Sequence, residues 1–187
     1  DLAGWNAQAG PVGGDFYDIF EVDDRRGFFS LGDVSGKGIP AALMAYGCQA
    51  VLRALLKGDP NMSLDLLAAS LNQQMFETTR PEQFMTLFMA MFDRVEGVGS
   101  YVNAGHVPPA AMASGGEMKR LTSGGQIVGA FPGAEFEVGH HVLQPGETIF
   151  VCSDGVTENF NPNQEEFGED RVCEFLTSVC DQPSDAI

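Results

Sequence analysis

Nine consecutive residues, Phe84-Met85-Thr86-Leu87-Phe88-Met89-Ala90-Met91-Phe92, carry a single polar side chain. Read at the two-residue period of a strand, Met85, Leu87, Met89 and Met91 share one face. Phe84, Thr86, Phe88, Ala90 and Phe92 share the other. A strand that is apolar on both faces needs cover on both, so it belongs inside a layered structure.

The segments around it supply the layers. Residues 1–8, 16–22 and 26–31 read as short strands, and Asp23-Asp24-Arg25-Arg26-Gly27 reads as a hairpin loop. The period then changes. A helix starts at Ile39 with Pro40 in its first turn, continues through Val51, Leu52, Leu55 and Leu56, and stops at Lys57-Gly58-Asp59-Pro60. Ser63 is the expected N-cap of a second helix with Leu64, Leu67, Ala68, Leu71 and Met75 inward. Further strands are expected at 100–103, 109–113, 118–121, 136–142 and 148–151, with a turn at Gly115-Gly116. A last helix is expected over 168–179, with Val172, Phe175, Leu176 and Val179 inward. Strands, then two helices, then more strands and one helix predict an α+β fold with two stacked, mainly antiparallel sheets and helices outside. Trp5 is expected to pack.

Composition narrows the partners. The 187 residues suit one domain, and 44% hydrophobic residues can build a core without disulfides. A formal net charge of -16 repels phosphate backbones and anionic lipid, which excludes nucleic acid and direct membrane contact. Cys48, Cys152, Cys173 and Cys180 form no C-x-x-C pair, so zinc is not expected; the first three sit in apolar runs. No signal peptide or bilayer-spanning apolar run is expected, and a cytoplasmic protein fits. The chain opens at Asp1 rather than Met, as a piece of a longer protein would.

Three aspartates stand beside strand-like runs. Asp33 ends Phe28-Phe29-Ser30-Leu31-Gly32-Asp33, Asp154 ends Thr148-Ile149-Phe150-Val151-Cys152-Ser153-Asp154, and Asp15 precedes an apolar stretch in Gly13-Gly14-Asp15-Phe16-Tyr17-Asp18. Carboxylates at strand ends beside glycines suit a hard divalent cation. Blander readings stand beside this one: Asp33 as a helix N-terminal acid, Asp154-Gly155 as a hairpin turn, and Asp15 as a turn acid after two glycines. The loop Gly32-Asp33-Val34-Ser35-Gly36-Lys37-Gly38 lies between strand and helix, as a nucleotide-phosphate loop does. The spacing is wrong, however, and no hydroxyl follows Lys37, which argues against nucleotide binding.

Gly13-Gly14-Asp15-Phe16-Tyr17-Asp18, Gly32-Asp33-Val34-Ser35-Gly36-Lys37-Gly38, Asn103-Ala104-Gly105-His106, Ser153-Asp154-Gly155-Val156-Thr157-Glu158 and Phe167-Gly168 occur in that order. Together they resemble the SpoIIE/RsbU-type serine phosphatase domains, the bacterial branch of the PPM metal-dependent protein phosphatases. The resemblance implies a four-layer αββα sandwich and a centre of two divalent cations, Mn2+ or Mg2+. It implies that Asp33 bridges both metals, that Val34 contributes its backbone carbonyl, and that Asp15 and Asp154 are further ligands. Asp18 is a weaker candidate, acting through water. The segment 39–78 corresponds to the one that moves to switch activity in this family, and by the same analogy offers a homodimer surface.

The function implied is hydrolysis of phosphoserine or phosphothreonine by metal-activated water, on a phosphorylated anti-sigma-factor antagonist. A sensory domain is expected upstream. The family's C-terminal strand, with its Asp-Asp pair and metal-binding aspartate, is not found by residue 187; Asp181 and Asp185 do not stand in that context. The alternative is a phosphatase-fold module that signals by docking a partner without catalysis. His106 reads as a structural turn residue or as a proton donor, and Lys37 as a solvated lysine or a phosphate partner.

Overall fold

The computed structural model describes residues 1–8, 10–80, 82–179 and 182–184. The chain divides into two compact units. The larger comprises Asn6–His106 and Thr122–Val142, and the smaller comprises Asp1–Trp5, Val107–Leu121 and Leu143–Ile187.

The larger unit is built on a six-stranded sheet. Strands β1 (Phe16–Glu21), β2 (Arg26–Val34), β3 (Met85–Asp93) and β4 (Val98–Ala104) run antiparallel in order. A short β7 (Gly124–Gly125) joins β4 in parallel, and β8 (Gly139–Val142) pairs with β4 antiparallel. As its sequence demands, β3 is central and has Met85, Leu87, Phe88, Met89 and Ala90 fully buried. One face of the sheet is covered by α1 (Gly38–Gly58) and α2 (Leu64–Thr78). They pack Ala41, Ala45, Cys48, Leu52 and Leu56, and Leu64, Leu67, Leu71 and Met75, onto Phe16, Phe28, Val34, Met89 and Val102. Burying these side chains contributes about 1.5–3 kcal/mol for each large one. Phe29, Phe88, Phe92 and Tyr101 form a chain of ring contacts on the opposite face.

The smaller unit holds a three-stranded sheet, β6 (Met118–Arg120), β5 (Ala110–Met112) and β9 (Thr148–Phe150), all antiparallel. It also holds a single helical turn α3 (Asp154–Thr157) and α4 (Gly168–Val179). Val172 and Leu176 pack on Ala110 and Met112. Arg120 ties the unit together: its guanidinium donates to the Pro108 carbonyl at 2.9 Å and to Glu169 of α4 at 2.8 Å.

Several expectations are corrected. Residues 1–8 form no strand; Asn6 and Gln8 instead spend their side-chain amides on the Asp15 carbonyl. Trp5 is 84% exposed and does not pack. Phe175 is 46% exposed, because α4 buries only a narrow stripe. By length and composition α1 is apolar enough to cross a bilayer, since its outer face carries exposed Ile39, Leu43 and Tyr46 besides the buried stripe. Cys48 is buried, Cys152 and Cys173 are half-buried, and Cys180 lies outside the described residues.

Candidate metal centre

The β1–β2 hairpin decides where two of the three aspartates go. Its ladder ends at Phe16 opposite Gly32. Continued by one residue, the same register sets Asp15 across from Asp33, and by two, Gly14 across from Val34. The Val34 amide does donate to the Gly14 carbonyl, at 3.4 Å. Directly opposed residues project to the same side of a sheet with Cβ atoms about 4.5–5.5 Å apart. Two like charges so placed repel, and a cation bound between them would relieve that repulsion.

Gly14 is required for this approach. A Cβ on it would stand 2.5 Å from the Val34 carbonyl oxygen, closer than any side chain tolerates. The donors gathered at this strand end are carboxylate and carbonyl oxygens, the set preferred by Mg2+ and Mn2+ over softer metals. The residues therefore fit the expected ions by donor chemistry. Asp154 belongs to the smaller unit, where it opens α3 after β9. That helical turn replaces the hairpin turn that Asp154-Gly155 also permitted; the Asp154 carbonyl accepts from the Glu158 amide at 2.7 Å. Among the described residues no group of three or more His, Cys, Asp or Glu side chains is gathered. Asp181 and Asp185 lie outside the described residues.

Asp18 is not available as a ligand. It lies three residues beyond Asp15, hence on the opposite, helix-covered face of β1, and is 4% exposed. Its two oxygens accept from Arg53 of α1 at 2.7 and 2.5 Å. That hydrogen bond, ahead of simple charge attraction, raises the Arg53 guanidinium above its ordinary range. Arg53 also lies 4.5 Å over the Phe20 ring.

His106 follows β4 in a turn built by Asn103, whose side-chain oxygen accepts the His106 amide at 2.8 Å. The imidazole is buried and its Nδ1 lies 2.8 Å from Thr86 Oγ1. Thr86 is the β3 residue opposite Asp33. His106 is thus a buried turn residue one side chain away from Asp33. Lys37 is exposed at the N-cap of α1 and makes no side-chain cap bond. Burial pushes the thiols of Cys48 and Cys152 up to about 11, which keeps them protonated and poor nucleophiles.

The role of Asn72 was missed by sequence reasoning. It is the one polar residue within the buried stripe of α2, and a lone Asn between Leu71 and Met75 was the only available signal.

Comparison with known proteins agrees with this architecture. The model of the family described as Stage II sporulation protein E (SpoIIE) matches residues 23–187. Protein IcfG of a Synechocystis strain is 32% identical over 208 residues, covering 95% of this chain and 33% of that protein. Phosphoserine phosphatase RsbU of Bacillus subtilis is 26% identical over 162 residues, covering 84% of this chain and 47% of that protein. The chain therefore spans between a third and a half of the length of these relatives. Among solved structures, the SiaA-PP2C domain of Pseudomonas aeruginosa superposes with a TM-score of 0.80 at 21% identity, over 93% of this chain and 69% of that one. The PP2C phosphatase domain of SpoIIE from Bacillus subtilis gives 0.78 at 20% identity, over 95% of this chain and 52% of that one. The fold is that of the PP2C-type phosphatase domains, and the chain belongs to the SpoIIE family.

Proposed function

We propose that this domain hydrolyses phosphoserine or phosphothreonine on a regulatory phosphoprotein of the anti-sigma-factor antagonist type, in the cytoplasm, with Mn2+ or Mg2+ held by Asp15, Asp33, Asp154 and the Val34 carbonyl. The observation that carries this is the β1–β2 register, which ends at Phe16 opposite Gly32 and, continued by one residue, sets Asp15 across from Asp33, in a chain whose relative RsbU is named a phosphoserine phosphatase. When bound, a pair of such ions supplies hydroxide at neutral pH by lowering the pKa of bound water.

The residues contribute placement and charge. The hairpin ladder holds Asp33 within β2 and ends one residue from Asp15, whose carbonyl is tied to the Asn6 and Gln8 side chains, so little conformational freedom is lost when they take up their ligand. Their paired negative charge is what selects a divalent cation. The reaction joins a water oxygen to phosphorus, and the serine or threonine oxygen leaves with a proton. No step calls on a thiol, consistent with the protonated state in which burial holds Cys48 and Cys152.

The upstream sensory domain, and a C-terminal strand supplying one more aspartate, are part of the same proposal; the greater length of the relatives supports it. The exposed Ile39, Leu43 and Tyr46 of α1 support the homodimer surface expected on the helix pair.

The test is phosphate release from a phosphoserine-bearing antagonist protein with Mn2+ added and with it chelated, using the full-length gene product, this domain, and Asp33→Asn. Metal-dependent release that Asp33→Asn abolishes is expected. Binding of the phosphoprotein with no release from any wild-type form would favour the docking-module alternative instead.

A further inference from the structure

Asn72 is 1% exposed in a stripe of α2 that is otherwise Leu67, Ala68, Leu71 and Met75. Its side-chain oxygen accepts the Gly129 amide at 2.8 Å, and its side-chain nitrogen donates to the Phe131 carbonyl at 2.9 Å. One amide thus meets one donor and one acceptor of the same turn. An apolar residue of similar size would leave the buried Gly129 amide unsatisfied and would take away the partner of the part-buried Phe131 carbonyl. The turn is held close: Gly129 has φ 89°, a left-handed value, and a Cβ there would lie 3.1 Å from Met75.

From this turn a continuous run of hydrogen-bonded backbone leads to the candidate centre. Val128, next to Gly129, exchanges both backbone bonds with Met85, at 2.8 and 2.9 Å. Met85 stands opposite Val34 in the β2–β3 ladder, and Thr86 stands opposite Asp33. Just beyond, the Ser35 amide donates to the Phe84 carbonyl at 2.9 Å, and the Phe84 amide donates to Ser35 Oγ at 3.0 Å. The strand end that presents Asp33 and Val34 is therefore braced by β3, which is braced by the turn at 128–131, which Asn72 fastens to α2.

We infer that Asn72 is a positioning residue: by fastening the turn at Val128–Phe131 to α2 it fixes the Met85 edge against which Val34 and Asp33 are aligned. The link to catalysis rests on the phosphatase function proposed above, whereas the mechanical link does not.

Amide hydrogen exchange on the metal-free protein reads the mechanical link. Asn72→Asp keeps the size and the acceptor but turns an oxygen towards the Phe131 carbonyl. It is expected to speed exchange at Val128, Met85 and Ser35 about tenfold, with Phe28 and Met91 at the other end of the ladder unchanged. Asn72→Ser, which can satisfy one of the two partners, is expected to give a smaller change of the same pattern, and serves as the readout if the aspartate variant does not fold.

In phosphate-release assays the same variants are expected to lower kcat about tenfold and to raise the Mn2+ concentration for half-activity, with the KM for phosphoprotein unchanged. Faster exchange confined to Gly129, or a lowered melting temperature with unaltered kcat and Mn2+ dependence, would overturn the inference and leave Asn72 a fold tie only. Wild-type protein that released no phosphate would sink the phosphatase function, while the exchange pattern would still decide the coupling.

Discussion

The Asp18 carboxylate receives both Nε and Nη2 of Arg53, at 2.7 and 2.5 Å, and so ties β1 to α1. The carboxylate is almost wholly buried, while the arginine side chain is about half exposed (49%). Removing the arginine strands a buried charge; removing the charge leaves a solvated arginine. Arg53→Met is therefore expected to cost about 1–3 kcal/mol in urea unfolding, and Asp18→Asn less. The double variant should recover part of the loss, and simple additivity in the cycle would show that the pair does not interact.

Stability and activity should respond in opposite senses to one change at Asp15. Asp15→Asn removes one of two opposed negative charges, so the metal-free protein should gain about 0.2–1 kcal/mol in stability. The same variant should lose metal-dependent hydrolysis by on the order of 10²-fold. Calorimetry in chelator, beside phosphate release in Mn2+, checks both. A metal-free protein destabilised by the change would mean that these carboxylates do not repel each other.

Gly14→Ala probes the close approach to Val34. The added methyl would sit 2.5 Å from the Val34 carbonyl oxygen, so the strands must part. A cost of about 1–3 kcal/mol is expected. The loss of Mn2+-induced stabilisation should exceed that of Gly27→Ala at the far end of the hairpin, where a Cβ meets nothing within 4 Å. Melting curves with and without Mn2+ provide the comparison.

Cys48 offers a pH signature. Burial raises its thiol from 9.0 to about 11, because the thiolate would lie among apolar side chains. The unfolded thiol ionises first as pH rises. Its contribution to stability is therefore complete below pH 9 and is lost progressively as pH climbs towards 11. Native protein at pH 8 should resist iodoacetamide at Cys48 while urea-unfolded protein reacts, as peptide mass spectrometry would record. Rapid native labelling would contradict the burial.

Tyr46 is 71% exposed on α1, in register with exposed Leu43 and Ile39. If copies of the chain meet through the helix pair, Tyr46→Glu should convert dimer to monomer in light scattering without shifting the melting temperature. A wild-type protein that is monomeric at every concentration measured would remove this part of the proposal.

How much of this was legible in the chain follows from the range of each interaction. The doubly apolar run 84–92, the change of period after Gly38, the stop of α1 at Lys57-Gly58-Asp59-Pro60, the Ser63 start of α2 and the apolar spacing of α4 are local patterns, and their elements formed where expected. Placing Asp15, Asp33 and Asp154 beside strand-like runs was equally local. Residues 1–8, Trp5 and Phe175 misled because an apolar side chain says nothing about whether another segment will cover it. Asp18 and Asn72 were misjudged or missed for a related reason. Which face of a strand a carboxylate occupies, and which turn a buried amide fastens, depend on partners 35 and 57 residues away. The sequence determined the strands, the helices and the acids; only tertiary structure, through the register of β1 on β2 and the packing of α1 and α2 over the sheet, set Asp15 opposite Asp33 and turned Asp18 away to Arg53.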